Sequence, residues 1–122
     1  MSYTGKKIVV FGASQDPSKY GYKIFVSLCE QGLEVAGINP KGGEVSGRSF
    51  YTNLPQVPGP VEVAIMVIPP AALVAAVQQC IAAGVREIWF QPGARNEEAF
   101  HRAVSAGIRS INGCFMAENG FW

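Results

Sequence analysis

Residues 7–21 read KIVVFGASQDPSKYG, and this stretch decides the fold predicted for the chain. It opens with a short apolar run rich in β-branched residues, at positions 8–11, which is typical of a central parallel strand buried on both faces. The run breaks at Gly12, and from Gly21 onward apolar residues recur at helical spacing. A strand, a glycine turn and a helix in this order direct free backbone N–H groups at an anion. We therefore predict that this loop holds phosphate, the alternative being an ordinary connection between strand and helix.

Length and composition describe one compact domain, which we predict to span residues 1–122. Of the 122 residues, 48% are apolar and 16% are charged, so the chain can bury a core of its own. The net charge of +1 gives no general attraction to nucleic acid or to a membrane surface. No apolar stretch reaches the roughly 18 residues of a membrane span, and the short polar residues 1–7 do not read as a secretory signal. These features predict a cytoplasmic protein without a nucleic-acid or membrane partner.

Three cysteines, Cys29, Cys80 and Cys114, stand far apart and lack CxxC or CxxH spacing. An odd number at such spacing predicts neither a disulfide scaffold nor a zinc site. Cys29 and Cys80 fall within helical patterns, where we expect them to be small core residues. No metal site is predicted from the sequence.

Beyond the first helix, strand and helix signals alternate along the chain. Helices are predicted over residues 21–31, 71–83 and from an N-cap at Asn96 to Gly107. Strands are predicted over residues 8–11, 33–39, 61–68, 86–91 and 109–112, with a possible short one at 48–51. The apolar faces of the second and third helices are expected to comprise Leu73, Val74, Val77 and Ile81, and Phe100, Ala103 and Val104, respectively. Residues 112–122 receive no assignment.

Repeated strand–helix units with short links form an open parallel sheet, and right-handed crossovers place helices on both of its faces. The predicted fold is therefore α/β, a doubly wound and mainly parallel sheet of about five strands. In such sheets ligands bind outside the carboxyl ends of the strands, where the strand order reverses. The turns at those ends are expected to converge on one cleft, and they contain Gly12, Ala13, Ser14, Asn39, Pro40, Lys41, Pro69, Pro70, Gln91, Pro92 and Gly93.

The turn after the second predicted strand bears on which nucleotide the cleft takes. A site for NAD requires an acidic side chain near the end of this strand, which accepts hydrogen bonds from the ribose. The strand ends in Asn39, Pro40 and Lys41 instead. A lysine there favours a phosphorylated ribose, as in NADP or coenzyme A, although a solvated turn lysine is the alternative. Lys19 in the first loop is a weaker candidate for a phosphate contact.

Several short motifs together resemble those of the small single-domain coenzyme A-binding proteins, which are similar to the amino-terminal domain of the succinyl-coenzyme A synthetase α subunit. The resemblance covers roughly residues 8–114, and the order and spacing of the motifs make it specific. Its residues are Gly12-Ala13-Ser14, Asp16-Pro17-Ser18, Tyr22, Asn39-Pro40, Glu44-Val45, Gly47-Arg48, Gln91, Gly93 and Asn96-Glu97-Glu98-Ala99.

This resemblance implies a Rossmann-like fold with coenzyme A bound at the carboxyl edge of the sheet. It implies phosphates near residues 12–14 and Lys41. Tyr22, one of the resembling residues, and the separate candidate Lys19 are predicted to belong to the same cofactor site. It places the nucleotide and the pantetheine arm along Ile68, Pro69 and Pro70 and along Gln91, Pro92 and Gly93. The chain departs from the family at Pro92, which is more often an apolar, non-proline residue, and at Asn112 and Gly113, which replace a charged pair. Cys114 aligns with the cysteine of that motif.

No catalytic residue is predicted. The single histidine, His101, falls inside the last long helix, away from the predicted cleft, and the single aspartate, Asp16, has no carboxylate partner in sequence. Neither a GxxxxGK[ST] loop nor a GxSxG elbow occurs. The phosphorylated histidine of the synthetase relatives lies in a further domain that has no counterpart in this sequence. Cys114 could form a mixed disulfide with the cofactor, against the alternative of an inert buried thiol.

Three functional hypotheses follow. The first is a coenzyme A-binding module that is non-catalytic or depends on a partner protein. The second is an NADP-dependent oxidoreductase or a nicotinamide-nucleotide sensor, for which no proton donor is found. The third is a protein-interaction module on the same fold. Phe115, Phe121 and Trp122 in the tail are expected to be exposed, where they would form a homodimer interface or close the core.

Overall fold

A computed structural model of the chain describes residues 3–122, so Met1 and Ser2 of the predicted polar N-terminal stretch lie outside the described residues. The strands are β1 (Lys7–Phe11), β2 (Glu34–Ile38), β3 (Glu44–Val45), β4 (Arg48–Ser49), β5 (Val63–Met66), β6 (Glu87–Phe90) and β7 (Arg109–Asn112). The helices are α1 (Tyr20–Glu30), α2 (Leu73–Ala83), α3 (Glu97–Ser105) and α4 (Phe115–Glu118), with short 3-10 turns at Leu54–Gln56 and Pro70–Ala72.

Five strands form one parallel sheet in the order β2-β1-β5-β6-β7. At the carboxyl end of β1, Phe11 pairs with Ile38 of β2 on one side and with Met66 of β5 on the other. The chain thus leaves β1 in one direction and later returns to its other side, so the strand order reverses between β1 and β5. This confirms the predicted doubly wound α/β sheet, and the carboxyl ends of β1 and β5 are where such a sheet is expected to bind a ligand.

Alternate residues of each strand belong to two separate hydrophobic cores, one on each face of the sheet. Val9 and Ala64 belong to the core beneath α2 and α3, whereas Val10 and Ile65 belong to the core beneath α1 and α4. This alternation is the two-residue period of a strand, and burial on both faces explains why β5, and β1 after Lys7, are apolar. Helices therefore cover both faces, as predicted.

The expected exposure of Phe115 is wrong. Phe115 and Met116 are completely buried in the short helix α4, to which the sequence assigned no structure. The Phe115 ring packs edge to face on Tyr3 and Trp89, with centroid distances of 4.9 and 5.3 Å. Phe115 therefore closes the core, while the Trp122 side chain is exposed, as expected, and Phe121 is half-buried.

Two residues of the predicted helix faces point away from the core. Ile81 is eight residues after Leu73, about 80° around an α-helix, and Val104 is about 100° from Ala103. Both side chains are exposed. The buried residues are Leu73, Ala76, Val77 and Cys80 in α2 and Ala99 and Ala103 in α3. Leu73, Val77 and Ala103 are thus buried as predicted, and the small side chains among the set let the helices approach the sheet closely.

Cys29 and Cys80 were both predicted to be core residues, and only Cys80 is fully buried in the core. The Cys80 thiol is completely buried, and burial raises its pKa to about 12. Cys29 is half-buried. Within residues 3–122 no helix has the length and apolar character needed to cross a membrane.

A buried carboxylate ties the amino-terminal edge of the sheet together. Glu87, at the start of β6, accepts hydrogen bonds from Tyr3 Oη and Trp89 Nε1, both at 2.6 Å, and pairs with Arg109 Nη1 at 2.9 Å. Burial raises the pKa of the Glu87 carboxyl, but these hydrogen bonds outweigh it and hold the pKa below its usual value. The same surroundings, burial first and then the Glu87 hydrogen bond, raise the pKa of Tyr3 to about 12.

We expect Glu87 to make stability depend on acid pH. Because its pKa is lower in the folded state, its contribution is present above about 4.3, the usual value for glutamate, and is lost as the pH falls below it. Glu87→Gln should cost about 1–3 kcal/mol at pH 7, since the amide N–H₂ faces donors. Urea unfolding from pH 7 to 3 measures both effects. The exposed Glu30→Gln is the control, and an unchanged acid slope in Glu87→Gln would contradict the assignment.

Candidate functional site

The turn after β1 is pressed against the end of β5. Gly12 N donates to Ile38 O of β2 at 2.9 Å, and Gly12 has a φ of +94°, a conformation that favours glycine. A Cβ at this position would collide with the carbonyl oxygen of Val67 and meet Ile68 Cγ2 at 3.0 Å. The turn therefore requires glycine for its φ and for the close approach to the neighbouring backbone.

The first turn of α1 packs on this loop in the same way. A Cβ on Gly21 would collide with the carbonyl oxygen of Gly12. Between the two glycines, the Asp16 carboxylate accepts hydrogen bonds from Ser18 N and Oγ, at 3.0 and 2.7 Å. These bonds from Ser18 lower the Asp16 pKa and make the loop an ordered turn.

The loop leaves several backbone donors unused. Within residues 3–122, the N–H groups of Ala13, Ser14 and Gln15 find no hydrogen-bond partner, and neither do those of Tyr20 and Gly21 in the first turn of α1. The helix begins after Lys19, whose side chain does not cap it. Free N–H groups beside the positive end of a helix form a site for an anion.

Asn39 joins the turn after β2 to this loop. Its side-chain Nδ2 donates to Ala13 O at 2.9 Å, and its Oδ1 accepts Lys41 N at 2.8 Å. A second link runs from Glu44 N to Gln15 Oε1, at 2.9 Å, with the Gln15 side chain lying over Gly43. The structure thus brings the first two predicted turns together. Pro40 and the Lys41 side chain are exposed at the same edge.

The turn after β2 is supported from behind by a hairpin that the sequence indicated only in part. The predicted short strand at 48–51 contains β4, and β4 pairs with β3, which was not predicted. The chain then returns beside β2, where Asn39 N donates to Tyr51 O and Tyr51 N donates to Gly37 O, both at 2.9 Å. These bonds hold the corner that carries Lys41.

The turn after β5 contacts the turn after β1 and reaches the start of α3. Ile68 is half-buried beside Gly12, and Pro69 and Pro70 are exposed. Asn96 donates from Nδ2 to Pro70 O at 3.1 Å and caps α3 by accepting Ala99 N at 3.1 Å. The predicted N-cap is therefore confirmed.

A cavity of about 230 Å³ lies at the carboxyl ends of β5, β6 and β7, and we name it the carboxyl-edge cavity. Its lining residues are Tyr20, Val67, Gln91, Pro92, Cys114 and Trp122. Val67 joins it to the first loop, because Val67 is also the residue against which Gly12 packs. Gly93 is exposed in the turn that follows Pro92.

Cys114 and Gln91 form the polar part of the carboxyl-edge cavity. Gln91 is 5% exposed; its Oε1 accepts Phe115 N at 2.7 Å, and its Nε2 donates to Cys114 Sγ at 3.5 Å. Cys114 Sγ also accepts Ala117 N at 3.4 Å, which caps α4. The half-buried thiol is therefore held at the wall of the cavity.

Sequence reasoning missed three residues of this edge, Gln15, Tyr20 and Trp122. None of them belongs to a recognisable motif, and each takes part through a contact that only the fold creates. Tyr22, which was predicted to be a site residue, is half-buried against the core beneath α1 and α4 and does not line the carboxyl-edge cavity. Lys19 is exposed, and within residues 3–122 its side chain makes no hydrogen bond or ion pair.

A larger, open groove of about 830 Å³ runs along α2 and α3, away from the strand ends. It contains the exposed His101, beside Glu98 and Arg102, which pair with each other at 2.7 Å. Across residues 3–122, no three His, Cys, Asp or Glu side chains are grouped to hold a metal. The unused backbone donors lie at the carboxyl edge, so we take that edge as the candidate site.

Comparison with known proteins identifies the family of the chain. The family described as the CoA binding domain matches residues 6–120. The chain is similar to the alpha subunit of an ADP-forming acetate–CoA ligase II from Pyrococcus furiosus, with 36% identity over 87 residues. The aligned part is 70% of this chain but 19% of the ligase subunit, so the chain spans about a fifth of that curated relative.

Two solved structures resemble the whole chain. A conserved hypothetical protein from Pyrococcus furiosus is 36% identical with a TM-score of 0.85, and the match covers 93% of this chain and 98% of that one. A hypothetical protein from Pyrococcus horikoshii is 34% identical with a TM-score of 0.90, and the match covers 94% and 82%.

Proposed function

Since this chain belongs to the CoA-binding domain family, we propose that it binds coenzyme A across the carboxyl edge of its sheet, from Lys41 to the carboxyl-edge cavity. The observation that carries the proposal is the set of unused N–H donors on the first loop and on the first turn of α1. They lie between the turn that carries Lys41 and the carboxyl-edge cavity, whose wall includes the Cys114 thiol.

The anionic half of coenzyme A fits this edge. Its 3′-phosphate monoester carries roughly −1.5 to −2 charges and its pyrophosphate carries more. The N–H groups of Ala13, Ser14 and Gln15 can donate to phosphate oxygens with no rearrangement of internal hydrogen bonds. Lys41 supplies a positive charge on the corner that Asn39 fixes to the loop.

The other half of coenzyme A is a neutral arm that ends in a thiol, and that thiol carries acyl groups as thioesters. The arm would run past Val67 and Ile68 toward Gln91 and Pro92, along the contact between the first loop and the end of β5. The residues of this chain then bind and orient the cofactor.

Lys41 by itself would also suit an NADP site, which is the alternative to a coenzyme A site. The family match and the ligase relative favour coenzyme A instead. We propose that this chain is a binding module whose coenzyme A is used by a partner protein, because the similar ligase subunit is one of several parts of its enzyme. The free cysteines Cys29, Cys80 and Cys114 suit a reducing compartment, so we propose the cytoplasm as its location.

A thermal-shift panel of coenzyme A, acetyl-coenzyme A, NADP, NAD and ATP tests this function. A ligand at a hundred times its dissociation constant adds about 2.7 kcal/mol of stability, which is easily seen. We expect a shift with the two coenzyme A compounds. A shift with NADP and none with coenzyme A would overturn the proposal, and no shift at all would favour a protein-interaction module.

We also expect Cys114 to exchange with the disulfide of oxidised coenzyme A. The Cys114 thiolate would attack one sulfur, forming a protein–coenzyme A disulfide and releasing the second coenzyme A as a thiolate. Intact-mass measurement should show one coenzyme A added to the wild type and none to Cys114→Ser, in which Cys29 and Cys80 remain. An adduct that persists in Cys114→Ser, or none in the wild type, would contradict this.

A further inference from the structure

Two exposed aromatic side chains face each other over the carboxyl-edge cavity. Within residues 3–122 the large apolar side chains that are exposed are Tyr20, Ile81, Val104 and Trp122. Tyr20 and Trp122 both line the cavity, and their ring centroids are 6.4 Å apart. Exposed aromatic rings beside a cavity are one mark of a surface that contacts a ligand or a partner.

The residue before Trp122 is anchored in the core. Phe121 N donates to Met116 O at 2.8 Å, and the Phe121 ring stacks on the buried Phe115 at 5.8 Å. The backbone that carries Trp122 is therefore anchored to the core. The Trp122 ring itself is exposed and lines the cavity.

We propose that the carboxyl-edge cavity receives the acyl group of a short-chain acyl-coenzyme A and that Trp122 sets the upper length of the chain. This inference rests on the proposed function, since it concerns the far end of the same ligand. The cavity adjoins the phosphate-binding loop through Val67, and Cys114 lies in its wall. Apart from the Gln91 amide, its remaining walls are Tyr20, Pro92 and Trp122, which suit an alkyl group rather than a charged one.

The size of the cavity sets the substrate class. The volume of about 230 Å³ is smaller than the roughly 300–1,000 Å³ of a pocket that takes a whole drug-sized ligand. The end of the arm, from its last amide nitrogen to the sulfur, has four non-hydrogen atoms, and an acetyl group adds three more. A hexanoyl group adds seven, so its longer chain would contact Trp122 where an acetyl group would not.

Calorimetric titration of the full chain with coenzyme A, acetyl-coenzyme A and hexanoyl-coenzyme A tests this inference. In the wild type, hexanoyl-coenzyme A should bind at least about tenfold more weakly than acetyl-coenzyme A. Trp122→Ala should remove most of that difference by strengthening hexanoyl-coenzyme A binding. Val104→Ala, at an exposed site on α3, is the matched control and should keep the wild-type preference.

The outcomes separate the two proposals. If coenzyme A binds but acetyl and hexanoyl derivatives bind alike in the wild type, the cavity does not select chain length and this inference is wrong. The same holds if Trp122→Ala keeps the full preference. If no coenzyme A compound binds to the folded protein, the proposed function itself fails, and this inference with it.

Discussion

Gly12→Ala is expected to lose coenzyme A binding and about 3 kcal/mol of the free energy of unfolding. The new Cβ would collide with the carbonyl oxygen of Val67, which belongs to the backbone and cannot swing aside. The φ of +94° adds strain for any residue with a side chain. The loop would have to move away from β5, and its free N–H groups would move with it.

Gly84→Ala is the control for Gly12→Ala, measured by urea unfolding and coenzyme A titration. Gly84 also has a positive φ, +75°, but a Cβ there meets nothing within 4 Å. Its substitution should cost about 1–2 kcal/mol, from backbone strain alone, and leave binding unchanged. Equal losses of stability in the two variants, with binding kept in both, would show that the contact between Gly12 and Val67 is not needed.

Lys41→Glu is expected to weaken coenzyme A binding by at least about tenfold while leaving stability unchanged. A hydrogen bond between charged groups contributes about 1.5–3 kcal/mol, and charge reversal adds repulsion. The loss should be much smaller for dephospho-coenzyme A, which lacks the 3′-phosphate. Titrating both ligands against both proteins measures the difference.

Arg86→Glu is the matched control for Lys41→Glu, because it makes the same charge change at an exposed residue beside the amino-terminal end of β6. It should leave both affinities near their wild-type values. If Lys41→Glu weakens coenzyme A and dephospho-coenzyme A equally, Lys41 does not contact the 3′-phosphate.

The sheet could be predicted because its signals are local. The apolar runs of β1 and β5, the glycine at the end of β1 and the Asn96 cap each specify their own element. The burial of Phe115 could not be predicted in this way. It depends on Phe115 N reaching Gln91, 24 residues earlier in the chain, and on rings contributed by Tyr3 and Trp89.

The same limit applies to the candidate site. Because ligands bind outside the carboxyl ends of the strands in such sheets, the sequence indicated four turns as parts of the site. The structure shows how the Asn39 amide joins the first two of these turns. Gln15, Tyr20 and Trp122 were not predicted to belong to the site, because the position of their side chains at the carboxyl edge depends on how other helices and strands pack. Whether Lys19, Tyr22 and the remaining predicted residues contact the cofactor stays a prediction.

The central claim is that coenzyme A phosphates accept hydrogen bonds from the backbone of the first loop. Titration of ¹⁵N-labelled protein with coenzyme A, followed through its amide signals, tests this most directly. The account predicts that the largest shifts occur at Ala13, Ser14 and Gln15, with Lys41 following. Saturable binding whose largest shifts lie instead along the α2–α3 groove, around Gln78 and His101, would contradict it.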